Sequence, residues 1–299
     1  MLRTASLKDT DQILELCNAH ESRVDSDVEP MSRADVELNL KGVGEPGHTI
    51  VWDEAGRIKA VCFVFIDSGR KRAELDLFFV ESIPHAEDVF AAAISHLKSL
   101  GREFEVMSSA NQKDAVTLKL IQSFGFEFYR NYWKLVRQNH QDQLPALPDG
   151  VEVKQLPFND NANLYWRLEM DSFAEHFGFK FVEFEPWFAM RKDDSLIDQQ
   201  GSFVIYKDGV AAGYLISSNG REELQGGFID KLGVIKSMQG KGLGRMLLQY
   251  GIGYSSEKGH TSIALGVDSG NQSGAISLYE SVGFRPHVVW SAYRLPEFL

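Results

Sequence analysis

The sequence has 299 residues, of which 43% are hydrophobic and 24% charged, and its formal net charge is −11 at pH 7. This length allows two domains, and the composition is typical of a globular protein. Acidic residues exceed basic ones in both halves, so no half, stripe or tail carries the positive charge that nucleic-acid binding requires. We therefore expect no nucleic-acid partner, while a cationic substrate is compatible with the charge.

The cysteines and histidines indicate neither a metal site nor a redox site. Cys17 and Cys62 are far apart in the sequence, and the eight histidines form no pair at the spacing of zinc ligands. The N-terminus has no apolar signal core, and no apolar run reaches the ~18 residues of a membrane span. We expect no metal, two free thiols, no membrane partner and a cytoplasmic protein.

The predicted elements occur in the same order twice. Each half opens with a strand, continues with an amphipathic helix and then forms a hairpin around a tight glycine turn. A strand, a helix, a strand, a helix and a closing strand follow in both halves. In chain order, the opening elements are Leu2–Ala5, Thr10–Glu21 and the turn Asp53–Gly56, then Val151–Leu156, Asn161–Phe173 and the turn Lys207–Gly209.

Two further segments of the halves can be matched residue by residue. The sequence TLKLIQSFGF at Thr117–Phe126 aligns without a gap with AISLYESVGF at Ala275–Phe284. Earlier, LDLFFV at Leu75–Val80 aligns with IDKLGV at Ile229–Val234. A repeat of this length indicates a duplicated domain, because solenoids repeat at shorter periods.

The duplication defines the predicted architecture. Alternating strands and helices predict the α/β class, with a mixed sheet covered by helices in each of two tandem domains. We place the domains at residues 1–137 and 151–299. Residues 138–150 are polar, contain two prolines and are predicted to be a linker.

A glycine-rich stretch, SMQGKGLGRMLL, precedes a helix in the second half only. Gly240, Gly242 and Gly244 remove the Cβ atoms that would block a close approach, and the unpaired N–H groups of a helix start attract phosphate. The first half has only ESIPHAED at this place, yet a similar helix follows. The loop is therefore predicted to bind a ligand, although a flexible turn is the alternative. It matches neither a Walker A loop nor a G-x-G-x-x-G fingerprint.

Directly after a predicted strand, the sequence has the pattern Q-x-x-G-x-G, at Gln239, Gly242 and Gly244. This pattern resembles the pyrophosphate-binding segment of the GNAT acyltransferases. NQSGAISLYESVGF, starting at Asn271, resembles the second hallmark of that family. The resemblance is clear over residues 151–299, whereas in the first half it rests on the order of elements and on SFGF. It implies two tandem GNAT-like domains, a catalytic second one and a degenerate first one without the pyrophosphate loop.

The resemblance implies that acetyl-CoA binds to the strand before the loop, to the loop and to Asn271. The main chain of the strand would pair with the pantetheine arm, and the N–H of Val234 would face the thioester oxygen. Lys241 and Arg245 could equally be solvated surface side chains, and Asn271 could simply cap the next helix. The predicted cofactor-binding residues are Leu232, Gly233, Val234, Gln239, Gly240, Lys241, Gly242, Leu243, Gly244, Arg245 and Asn271.

Two residues are predicted to carry the proton transfers. The resemblance places Tyr279 near the sulfur, where its phenol would protonate the leaving thiolate; the matching residue of the first half is Ile121. Asp230 is the candidate base, and partial burial between apolar neighbours could raise its pKa. The alternatives are a core tyrosine at Tyr279 and a structural carboxylate at Asp230, because Asp76 occupies the same place in the first half.

The acceptor site is expected after the first helix of the second half, where carboxylates alternate with aromatic residues. Glu175, His176 and Glu183 are the predicted substrate-binding residues, since this mixture suits an ammonium group; solvated acids on a core helix are the alternative. We predict an N-acetyltransferase that moves an acetyl group from acetyl-CoA to a primary amine of a small molecule or peptide by direct attack. The alternative is a non-catalytic protein that senses CoA or a metabolite. Either would be a monomer or a homodimer.

Overall fold

The computed structural model describes residues 1–42, 48–68, 71–80, 83–175, 179–270, 274–296 and 298. Two compact units are present: Met1–Tyr132 together with Val288–Leu299, and Trp133–His287. The strands are β1 (Leu2–Thr4), β2 (Ile50–Glu54), β3 (Arg57–Asp67), β4 (Arg72–Phe79), β5 (Glu105–Asn111), β6 (Glu127–Gln138), β7 (Val151–Gln155), β8 (Ile197–Lys207), β9 (Val210–Ser218), β10 (Gly226–Val234), β11 (Ser262–Asp268) and β12 (Arg285–Leu295). The helices are α1 (Thr10–Val24), α2 (Arg33–Lys41), α3 (Ile83–Ser99), α4 (Ala115–Ser123), α5 (Ala162–Phe173), α6 (Phe184–Ala189), α7 (Leu243–Glu257) and α8 (Ala275–Ser281).

The first unit contains a mixed sheet in the order β1-β2-β3-β4-β5-β12. β4 and β5 are parallel, whereas β1 and β2, β2 and β3, β3 and β4, and β5 and β12 pair antiparallel. Alternate residues of β3 point to opposite faces, as the pleat requires: Cys62 and Val64 lie in the apolar cluster under α3, and Val61 and Phe63 lie in the cluster under α1 and α2. The sheet therefore has a buried core on both faces.

The second unit repeats this plan in the order β6-β11-β10-β9-β8-β7, with β10 parallel to β11. α7 packs across β8 to β11, and α5 packs on β9 and β10. Along β9, Leu215 belongs to the cluster under α7, whereas Tyr214 and Ile216 belong to the cluster with α5 and α6. The two faces of this sheet are thus distinct, and the functional groups described below are divided between them.

The closing strands differ from the order expected from the repeat. β12, at the end of the chain, pairs with β5 of the first unit, with Trp290 opposite Asn111 and Leu295 opposite Val106. Residues from Trp133 onward, in β6, belong to the second unit. Both strands follow the same Gly-Phe ending, so the repeat does not reveal which sheet each strand completes. None of the helices within the described ranges has the length and apolarity needed to cross a bilayer.

Candidate functional site

β10 and β11 separate part-way along their length. Across their described residues they pair only from Gly226–Ile229 to Ser262–Leu265, although β10 continues to Val234 and β11 to Asp268. β10 stays paired with β9 up to Val234. A register shift lies between Ile229 and Lys231, and such bulges bend a strand. The result is a gap beside the second half of β10, where its main chain is not paired with β11.

The direction of the β10 main chain follows from its pairing with β9. The N–H of Ile235 donates to the Ala212 carbonyl at 2.9 Å. Hydrogen-bonded and non-hydrogen-bonded pairs alternate in an antiparallel ladder, so the adjacent pair of Val234 and Gly213 is non-hydrogen-bonded. The N–H of Val234 therefore points away from β9 and into the gap. Leu232, two residues earlier, has the same orientation.

Gln239 connects the glycine loop to the end of β10. Its side-chain amide donates to the Val234 carbonyl at 3.0 Å. Its main-chain N–H donates to the Lys236 carbonyl at 3.2 Å and so closes a short turn. This N–H is therefore directed at Lys236 in the structure, and the assignment of Gln239 to the cofactor stays a prediction. Gln239 holds the loop against the strand.

The loop ends at the open N-terminus of α7. Gly240 and Gly242 have φ of 73° and 78°, in the left-handed region that favours glycine. Within this fully described helix, Met246 is the first residue whose N–H finds an intrahelical acceptor, the Gly242 carbonyl at 3.1 Å. The four preceding N–H groups, of residues 242–245, have none inside the helix. A Cβ atom at Gly240 would meet no atom within 4 Å, so the loop has open space at that residue.

Gly244 lies where β10, α7 and α8 meet. A Cβ atom there would be 3.6 Å from both Val234 Cγ2 and Leu278 Cδ2. The exposed Arg245 extends along α8, with Nη2 at 3.4 Å from the Ser281 carbonyl. Lys241, also exposed, places Nζ 3.4 Å from a methionine sulfur. Lys241 lies in the loop and Arg245 in the first turn of α7, so both bring positive charge to this end of the helix.

Tyr279 projects from α8 into the apolar cluster on the α7 face. Only 9% of the residue is exposed, and its ring lies edge-on to Phe284 at 6.2 Å between centroids. Burial raises the pKa of Tyr279 to about 12. The phenol is thus fully protonated at neutral pH, as a proton donor must be. The same burial would also be expected of a core tyrosine.

Asp230 lies at the bulge and is exposed, with 43% of its side chain accessible and Lys231 Nζ at 3.9 Å. The partial burial expected from its apolar neighbours is therefore wrong. Asp76, its counterpart in the repeat, lies in a regular part of β4 opposite Phe63. Burial raises the pKa of Asp76 to about 7, and the nearby charge of Glu74 adds to the shift. The two aligned aspartates thus occupy different environments.

Of the predicted acceptor residues, the structure describes Glu175 and Glu183. Glu175 is exposed and forms an ion pair with Lys236, next to the loop. Glu183 is exposed and precedes α6. His176 and Asn271 lie outside the described residues. Their assignment to substrate and cofactor stays a prediction.

A buried polar cluster under Gly233 was not anticipated from the sequence. A Cβ atom on Gly233 would lie 2.7 Å from Tyr214 Cε1 and 2.8 Å from Ser172 Cβ, so both side chains press against the strand. Glu169, one turn earlier on α5, is 7% exposed and pairs with Arg191 at 3.1 Å. The sequence feature that could have indicated this cluster is Glu169, an acidic residue among the inward-facing apolar residues of LYWRLEMDSF.

Comparison with known proteins places this geometry in a family. Residues 162–284 match the model of the acetyltransferase (GNAT) family. This part of the chain belongs to the GNAT family. The resemblance stated for the loop and for α8 is thereby confirmed, because both segments lie within the matched region. The GNAT domain contains the separated strands, the glycine loop and the buried cluster.

The relatives and the solved structures extend the comparison. A mycothiol acetyltransferase of Renibacterium salmoninarum is 28% identical over 210 residues, which cover 63% of this chain and 58% of that protein. The chain thus matches little more than half the length of that relative. A GCN5-related N-acetyltransferase structure from Sphaerobacter thermophilus has a TM-score of 0.79 at 17% identity, covering 98% of this chain and 94% of the other.

A tandem GNAT protein from the clavulanic acid biosynthesis pathway has a TM-score of 0.76 at 15% identity and covers 99% of both chains. At this identity the similarity concerns the fold alone. It extends beyond the matched GNAT domain to nearly the whole chain. The predicted tandem arrangement of two GNAT-like α/β domains is therefore confirmed.

The site also fits the cosubstrate of GNAT acetyltransferases, acetyl-CoA. The gap beside β10 offers main-chain groups to an extended arm, and the start of α7 offers unpaired N–H groups with open space at Gly240. Within the described residues, no group of three or more His, Cys, Asp or Glu side chains is arranged to hold a metal ion.

Proposed function

We propose that the protein is an acetyl-CoA-dependent N-acetyltransferase acting on a primary amine of a small molecule or peptide. The observation that carries this proposal is the coincidence of two features. The parting of β10 from β11 leaves the Val234 N–H facing a gap, and the open N-terminus of α7 lies at the end of the same strand. The GNAT family match and the mycothiol acetyltransferase relatives support it.

In this proposal the chain binds acetyl-CoA along β10. The pyrophosphate accepts hydrogen bonds from the N–H groups of residues 240–245, and the pantetheine arm pairs with the main chain around Leu232 and Val234. The Val234 N–H then donates to the thioester oxygen, where negative charge develops as the amine attacks. Such a donor is already oriented before the reaction, because the pairing of β10 with β9 fixes the peptide plane.

The attack forms an N–C bond and breaks the C–S bond. The nitrogen loses a proton to Asp230 or, through water, to solvent, and the CoA thiolate gains one from Tyr279. Burial raises the pKa of Tyr279 to about 12, so the phenol holds its proton at neutral pH but is a weaker acid than a free tyrosine. A protein that only sensed CoA would need the loop but no acid. The presence of Tyr279 where the first half has Ile121 therefore favours an enzyme.

We further propose that the first half is a degenerate domain without cofactor binding. Its β4 and β5 also part, after Leu75 and Ser108. Here, however, the side chain of His20, from the same unit, lies against the main chain at the end of β4. His20 Nδ1 is 2.8 Å from the Phe79 carbonyl and 3.2 Å from the Phe79 N–H. The nitrogen either donates to the carbonyl or accepts from the N–H, depending on the tautomer, so one main-chain group at the end of β4 already has a partner. On this proposal one chain binds one acetyl-CoA.

The test is acetyl-CoA-dependent thiol release in the presence of polyamines, amino sugars, amino acids and peptide N-termini. A mycothiol-related amine belongs in this panel because the similar curated proteins are mycothiol acetyltransferases. The proposal predicts thiol release that depends on at least one amine. Tight acetyl-CoA binding without any amine-dependent release would favour the sensing alternative. A cytoplasmic location is part of the proposal, since Cys17 and Cys62 are buried free thiols.

A further inference from the structure

A cavity of about 420 Å³ opens in the second unit where β6 ends and β12 begins. The residues that line it include Arg137, His140, Arg285 and His287. None of its described lining residues is acidic, although the whole chain carries a formal net charge of −11. This cavity, named the basic cavity below, therefore concentrates basic side chains on an otherwise acidic protein.

Arg137 forms a fixed wall of the basic cavity. Its Nε donates to the Val282 carbonyl at 2.8 Å, and its Nη1 and Nη2 donate to the carboxylate of Asp142 at 2.8 and 2.6 Å. The side chain crosses Gly283, where an added Cβ atom would lie 3.4 Å from Arg137 Nε. Because Asp142 compensates its charge, Arg137 shapes the cavity, and a ligand must find its unused donors elsewhere.

Arg285 has one edge of its guanidinium fixed and the other edge unused. Its Nη1 donates to the Glu280 carbonyl at 3.0 Å and to the Phe284 carbonyl at 2.7 Å, and so satisfies the C-terminal end of α8. Across the described part of the chain, its Nε and Nη2 have no acceptor, and no carboxylate pairs with it. These two nitrogens form the fork that holds two oxygens of one anion.

Two imidazoles line the same cavity. His140 and His287 are exposed, and within the described ranges their rings have no hydrogen-bond or ion-pair partner. Each ring supplies at least one N–H donor, in addition to the fork of Arg285. A carboxylate has two oxygens and one charge, whereas a phosphomonoester has three terminal oxygens and about two negative charges near neutral pH. The donor set therefore suits a phosphomonoester better than a carboxylate.

We propose that the basic cavity binds a phosphomonoester, with the Arg285 fork on two oxygens and the imidazoles beside the third. Its volume falls within the range of small-molecule sites, roughly 300–1,000 Å³, so the phosphate can carry a body the size of a sugar. No residue of the glycine loop lines the cavity. The inference thus concerns a second site, and it does not depend on the proposed acetyl transfer.

Calorimetry with glucose 6-phosphate tests the proposal, with inorganic phosphate, gluconate and glucose as comparison ligands. Arg285→Gln removes the fork, and His287→Gln removes an imidazole while leaving the end of α8 intact. The matched control is Arg167→Gln, which makes the same charge change at an exposed residue of α5 in the same unit. Melting temperatures show whether each variant is folded. If Arg285→Gln does not fold, His287→Gln decides the outcome.

We expect wild-type protein to bind glucose 6-phosphate at one site and not to bind glucose. Arg285→Gln should weaken binding by roughly tenfold or more, because charge-assisted hydrogen bonds are lost. His287→Gln should weaken it by a smaller factor, and Arg167→Gln should leave it unchanged. The inference would be overturned if neither glucose 6-phosphate nor inorganic phosphate bound, if gluconate bound equally well, or if the folded cavity variants retained wild-type affinity.

A competition experiment identifies the source of the phosphate, because CoA itself carries a 3′-phosphate. Arg245 extends from α7 to the Ser281 carbonyl, one residue before the lining of the basic cavity. Glucose 6-phosphate binding that saturating acetyl-CoA leaves unchanged assigns the cavity to a free phosphorylated metabolite. Competition by acetyl-CoA but not by 3′-dephospho-acetyl-CoA assigns it to the cosubstrate. Equal competition by both, or loss of glucose 6-phosphate binding in Gly242→Leu, would locate the phosphate in the glycine loop and contradict the inference.

Discussion

Replacing Gly233 by alanine should destabilise the second unit, because β10 has no room for a Cβ at this point. The added atom would be 2.7 Å from Tyr214 Cε1 and 2.8 Å from Ser172 Cβ, well inside van der Waals contact. Tyr214 is fully buried, so its ring cannot move into solvent. Overpacking of this kind costs about 1–3 kcal/mol. In a protein of this size, each kcal/mol lowers the melting temperature by roughly 2–4 °C.

The matched control is Gly266→Ala on β11, in the same unit. A Cβ atom there would meet no atom within 4 Å, and Gly266 is not among the positive-φ residues. This substitution should be neutral or stabilise by about 0.4–1 kcal/mol, because alanine restricts the unfolded chain. Thermal and urea unfolding of the three proteins measure the difference. Equal stability of Gly233→Ala and wild type, or an equal loss in Gly266→Ala, would refute the reasoning from close packing at Gly233.

Three other substitutions test the proton transfers and the acid stability. Tyr279→Phe should lower kcat by roughly 10²-fold with little change in acetyl-CoA affinity; an unchanged kcat in steady-state assays rejects the acid role. On the acidic side of the pH profile, wild-type kcat/KM should rise with pH, and Asp230→Asn should weaken this rise. A pH profile of the variant equal to that of the wild type would mean that Asp230 is structural. The hydrogen bond from Arg137 lowers the pKa of Asp142 from 3.8 to about 2. After allowance for solvent screening, this carboxylate therefore contributes on the order of 1–2 kcal/mol to the free energy of unfolding above about pH 4. The contribution is lost as the pH falls to 2, and Asp142→Asn should flatten that part of the acid-unfolding curve.

Local periodicity predicted the helices and hairpins well, because each element must bury one apolar stripe. The helix expected at Thr10–Glu21 spans Thr10–Val24, and the one expected at Asn161–Phe173 spans Ala162–Phe173. The hairpin turns contain Gly56 and Gly209, both with positive φ. The partner of β12 could not be predicted in this way, since an identical pattern of apolar residues can complete either sheet.

The glycine loop was predictable because its chemistry is local: the glycines and the helix start are adjacent in the chain. The exposure of Asp230 was not, since it depends on a bulge, and a one-residue register shift changes the face on which a side chain emerges. The cluster of Glu169, Ser172 and Tyr214 also escaped sequence reasoning. Its members lie on different elements, and Tyr214 alone looks like any inward residue of a strand.

Titration calorimetry with acetyl-CoA tests most directly the proposal that the second unit holds the single cosubstrate site. We predict one site per chain, lost in Gly242→Leu, which places a side chain at a φ of 78° beside the unpaired N–H groups. The control is Gly209→Leu, whose φ of 80° imposes the same strain in a hairpin turn outside the loop. A stoichiometry of one that Gly209→Leu retains and Gly242→Leu abolishes is the expected result. Two sites per chain, or undiminished binding in Gly242→Leu, would contradict the account.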